Sequence, residues 1–112
     1  MSFLRDGIAV IGTLLPKPAK NLPDRSTDLG RIARMGGADE TESALRAFAE
    51  ERVADQSALA RELIAAGFRR YSDADGEYFH WRGRNWGSLF DKVMIIGIGP
   101  DGLITNAGYR GL

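Results

Sequence analysis

Apolar and polar positions follow one period in the middle of the chain and another towards its end. Between about residues 40 and 66, Leu45, Phe48, Ala49, Val53, Leu59, Ala60, Leu63 and Ile64 recur at helical spacing and share one stripe. Glu50, Glu51, Asp55, Arg61 and Glu62 fall on the opposite face. The pattern predicts a long amphipathic helix over about 40–66. Asp39 and Glu42 are spaced for a capping box, and acidic residues crowd the first turn, where they favour the helix dipole. Gly67 is placed to end the helix. Gln56 interrupts the stripe beside Asp55 and Ser57. It is either a buried, hydrogen-bonded amide or the mark of a break into two helices.

After Gly67 the period changes to alternation, which predicts strands at about 68–71, 77–82, 92–98 and 103–109. Phe79 and Trp81 fall on one face of the second strand, and Tyr78, His80 and Arg82 on the other. The third strand is apolar on both faces and belongs inside a sheet. Ser72-Asp73-Ala74-Asp75-Gly76 reads as a turn, and Gly99-Pro100-Asp101-Gly102 as a type I turn with glycine at the bulge position. That register pairs Ile98 with Ile104, Ile96 with Asn106 and Val93 with Tyr109.

Before the long helix the pattern is weak. Ile8-Ala9-Val10-Ile11-Gly12 is β-branched and suits a short strand or a docking arm. Residues 1–25 are expected to be the most mobile part of an isolated monomer, the alternative being that Ile8, Val10 and Ile11 dock on the sheet of a second copy. Pro16, Pro18 and Pro23 make the segment that follows an extended connector. A short helix is expected from Ser26 or Thr27, which supply a capping hydroxyl, to about Met35, closed by Gly36-Gly37. The fold class is therefore α+β: a long helix packed on a four-stranded antiparallel meander, preceded by a short helix. Residues 1–25 form an extended arm and residues 26–112 a single domain.

Composition narrows the function classes. The 112 residues hold 15 basic and 15 acidic side chains, and this neutrality argues against a dedicated duplex-DNA binder. The absence of cysteine removes disulfides, thiolate metal sites and cysteine nucleophiles, and the single histidine removes a two-histidine metal site within one chain. No metal and no cofactor is expected. The early apolar run Gly7–Leu15 falls well short of the roughly 20 residues of a transmembrane helix and makes a poor signal peptide. The cytoplasm is slightly favoured, and a mature exported domain is the alternative. Charge is uneven along the chain: residues 1–37 carry net +3, residues 38–67 net −4 and residues 68–112 net +1.

Candidate chemistry concentrates between residues 69 and 86, where arginines alternate with aromatic rings. The candidate binding residues are Arg70, Tyr78, His80, Arg82, Arg84 and Trp86. Trp, Tyr and Arg are the side chains enriched at protein-binding hot spots. The same residues can stack unpaired bases and hold phosphates, although Asp73, Asp75 and Glu77 dilute the positive charge. His80 is the one side chain with an ordinary pKa near neutrality. Catalysis would need a nucleophile or water within its reach, and Trp86-Gly87-Ser88-Leu89-Phe90 is no nucleophile elbow. Asp73-Ala74-Asp75-Gly76-Glu77 is too short for a calcium loop, and Gly97-Ile98-Gly99 lacks the signature of a phosphate loop. The expectation is a small, soluble, non-catalytic module acting through contact with another protein, as an inhibitor, immunity-type protein, adaptor or accessory subunit. Single-stranded nucleic-acid binding and a small hydrolase using His80 are the alternatives, and self-association is a further option.

Overall fold

The computed structural model describes residues 22–83 and 91–111, with the side chains of the last two residues left aside. Over these residues the chain forms helices α1 (Asp28–Ala33), α2 (Ala38–Arg52) and α3 (Gln56–Ala65), followed by strands β1 (Arg69–Asp73), β2 (Gly76–Gly83), β3 (Lys92–Ile98) and β4 (Ile104–Gly111). The strands form one antiparallel sheet in the order β1-β2-β3-β4, with the helices packed on one face. This is the expected α+β arrangement. No described helix is long and apolar enough to cross a membrane.

The expected helix over 40–66 is two helices. α2 ends at Arg52, and α3 restarts at Gln56 behind Asp55, whose carboxylate accepts from the amide of Ala58. An acid capping a free amide favours a new helix start over continuation. The break moves Gln56 off the apolar stripe and onto the exposed surface. The start of α2 also differs from expectation. Its N-cap is Gly37, which has no side chain to offer, and the Thr41 hydroxyl donates to the Gly37 carbonyl. Glu42 is thereby released from a capping box and turns towards β4. α1 starts as expected, with the Thr27 hydroxyl accepting from Gly30 N at 3.0 Å.

Arg52 ties the three helices together. Its guanidinium lies 2.8 Å from Asp28 on α1 and 3.2 Å from Glu62 on α3, and sits over the Phe48 ring of its own helix. The described end of the arm is also anchored, since Leu22 packs against the core, Pro23 is buried and Arg34 donates to the Pro23 carbonyl.

The core lies between helices and sheet. Leu29, Ile32, Leu45, Phe48, Leu59 and Leu63 from the helices meet Phe68, Phe79, Trp81, Met94, Ile96 and Ile98. Every residue of β3 is buried, as befits an interior strand. Lys92, at its start, points towards the helices, only 4% exposed. Its ammonium donates to the carbonyls of Ile32 (3.1 Å), Ala33 (3.4 Å) and Met35 (2.7 Å) in and just beyond the last turn of α1, where helix carbonyls run out of intrahelical donors; that of Ile32 also accepts from the Met35 amide. It also lies 5.2 Å from the centre of the Tyr109 ring.

The β3–β4 register departs from expectation by one residue. Ile98 pairs with Ile104 as anticipated, but Ile96 pairs with Ala107 and Val93 with Arg110. The ladder shifts at Gly97/Ile98, so Thr105 is an extra residue on β4. Without it, Asn106 would stand opposite Ile96 on the core face. With it, Ala107 fills that place, buried, and Asn106 faces the other way. The turn itself closes as expected, with Gly102 N donating to Gly99 O at 2.9 Å and Gly102 at φ 83°.

Candidate functional site

Alternation on β2 sends Phe79 and Trp81 into the core and Tyr78, His80 and Arg82 to the opposite face of the sheet, away from the helices. These three candidates are therefore brought together. On that face β1 adds Arg69 and Tyr71, which stand opposite His80 and Tyr78. From β3, Ile95 stands opposite His80, and Val93 opposite Arg82.

At the centre is a cross-strand pair of tyrosines, Tyr71 and Tyr78, both half-buried. The ring of Tyr78 lies across Gly97, its partner on β3. A Cβ on Gly97 would stand only 3.1 Å from Tyr78 Cε1 and 2.9 Å from Thr105 Oγ1. Glycine is thus what lets the ring lie close to the sheet. The Tyr71 ring packs on His80, with centroids 4.9 Å apart and planes at 49°. His80 itself is only 5% exposed. Arg82 is held by Asp91, Nε to Oδ2 at 2.8 Å, and that carboxylate is nearly buried. The face therefore offers rings and a guanidinium fixed by neighbours, with the exposed Arg69 beside them.

Arg70 does not join this group. It lies on the helix side of the sheet, ion-paired with Glu77 and 5.8 Å from the centre of the Phe79 ring. There it borders an open cleft of about 360 Å³ walled by Gln56, Ala60, Arg61 and Ile64 from α3. Arg84 and Trp86 lie outside the described residues, as do Ile8–Gly12 and Ser88.

Arg69 and Tyr71 lie in the segment the sequence marks for its chemistry but were not among the six candidate residues, and Gly97 was read only as part of a turn. The first two were legible in principle, because the short turn between Asp73 and Gly76 sets the register that places Tyr71 against Tyr78. Gly97 was not, since its role depends on which ring lies above it.

As chemistry, the arrangement suits contact better than proton transfer. The imidazole is packed under a ring, and Asp91 is engaged by a guanidinium on the neighbouring position of β2. Ser72 points to the opposite face, beside Glu77. Among the described residues no three His, Asp or Glu side chains gather as a metal-binding group. Comparison of the chain with protein-family models, curated proteins and solved structures finds no match.

Proposed function

We propose that the chain is a small binding module that recognises another protein through the sheet face away from the helices. The observation that carries this reading is the Tyr71–Tyr78 pair, half-exposed and held from beneath by His80 and Gly97. Rigid aromatic side chains flanked by arginine bury large areas at little entropic cost, the usual composition of a hot spot. A single-stranded nucleic acid fits less well, because Asp91 neutralises Arg82 and Asp73 lies on the same face as Arg69. A hydrolase built on His80 fits less well still, because the ring is covered.

The test places a photo-crosslinking side chain at Arg69 on this face, and in a control protein at the exposed Arg46 of α2. The expected result in the native host is a discrete protein adduct from position 69 and none from position 46. Tyr78→Ala should weaken that interaction by about 2 kcal/mol or more. Gly97→Ala should weaken it in the same direction by displacing the ring, while His80→Ala leaves no catalytic step to lose. A nuclease-sensitive adduct, or equal adducts from both positions, would count against the proposal.

A further inference from the structure

In an antiparallel ladder, alternate residues turn their main-chain groups towards the neighbouring strand and the others turn them away. On β4 the amide of Tyr109 donates to the Oε2 of Glu42, at 3.1 Å, rather than to β3. Tyr109 therefore belongs to the outward set, and Ala107, two positions earlier in the same phase, belongs with it. Among the described residues no strand lies beyond β4. Glu42 reaches this edge from α2, whose body packs over the strand.

The two edges of the sheet differ. β1 is five residues long and carries Arg69, Arg70 and Asp73. Charged side chains on a short strand discourage strand addition. β4 is eight residues long and has neither charge nor proline from Ile104 to Tyr109. Its own side chains do little to repel another strand, and two copies of it meeting antiparallel would bring no like charges together over that stretch. The bulge at Thr105 protects one end, and along the remainder the Glu42 carboxylate stands where an incoming carbonyl would accept.

We propose that Glu42 guards this edge, and that the occupant it keeps off is the β4 strand of a second copy of the chain. The guard acts by position: its oxygen takes the outward amide of Tyr109, so a strand can be added only after the carboxylate leaves. A neutral side chain without an acceptor at residue 42 would leave that amide open to the partner's carbonyl.

The experiment compares the full-length wild-type chain with Glu42→Ala by sedimentation, with amide exchange read at Ala107 and Tyr109. Glu42→Ala should raise the self-association constant by roughly tenfold or more. Protection at both amides should then grow with protein concentration, which it should not do in the wild type. Adding Thr105→Lys, a charge on the exposed edge position, should return association to the wild-type level. Glu42→Gln, which keeps an acceptor oxygen, should fall between wild type and Glu42→Ala, and it decides the matter if the alanine variant fails to fold. The proposal is overturned if the folded variants associate no more than wild type. It is equally overturned if Thr105→Lys leaves the association intact, or if wild-type Ala107 and Tyr109 already show concentration-dependent protection.

Discussion

Lys92 carries an ammonium into the interior, where the carbonyls closing α1 receive it. Burial lowers its pKa from 10.5 to about 8, against the opposing pull of the Glu40 charge. Below pH 8 the group is protonated in both folded and unfolded chains and contributes no slope. Between pH 8 and 10.5 the unfolded chain binds more protons, so stability rises with pH across that window. The full gain is about 3 kcal/mol. Urea unfolding of wild type should show this rise relative to Lys92→Met, and parallel curves for the two proteins would refute it. Roles of this kind were not legible in the sequence. Lys92 finds its acceptors 57 to 60 residues away, and Glu42 finds the Tyr109 amide 67 residues away. No local period carries that information. Phe79 and Trp81 were legible because strand alternation alone assigns them to the core.

At the scale of elements, the strands and the order of the sheet were readable because turn residues punctuate alternation so clearly. The helix break was foreshadowed by Gln56, but stripe position alone could not choose between a buried amide and an interruption. Asp55 decided it by capping Ala58. Removing that cap with Asp55→Ala should cost about 1 kcal/mol. Gln56→Leu, now at an exposed position, should change stability by less than about 0.5 kcal/mol. Chemical denaturation of the two variants checks the contrast, and a larger loss from Gln56→Leu would mean that the amide holds α3 in place. The register error at Ile96 has a similar origin. A hairpin turn sets where pairing begins, and a bulge inside the strand then resets the parity without any turn signal. Because each added residue flips every later side chain to the other face, the Ile98–Ala107 segment should accept length changes by two far better than by one.

For the whole molecule, the sheet separates two environments: a core shared with three helices, and a face where the tyrosine pair stands. The candidate site was legible as a cluster of residue types and illegible as a surface, since only the register shows that Arg70 belongs to the helix side. Stability is unevenly spread over this plan. α1 has six residues, too few to persist alone, and it is held by Arg52, the Lys92 contacts and the burial of Leu29 and Ile32. Its amides should therefore exchange through a partial opening of lower free energy than the opening that frees β3. Native-state hydrogen exchange in low urea checks this, and equal opening energies for α1 and β3 would contradict it. The Lys92 contact also bears on the order in which the chain is completed during synthesis. The carbonyls of Ile32, Ala33 and Met35 leave the ribosome well before the ammonium that donates to them. At roughly 5–20 residues per second, the Lys92 contact is added several seconds after α1 is made, and over that interval α1 relies on Arg52 and on packing against α2 alone.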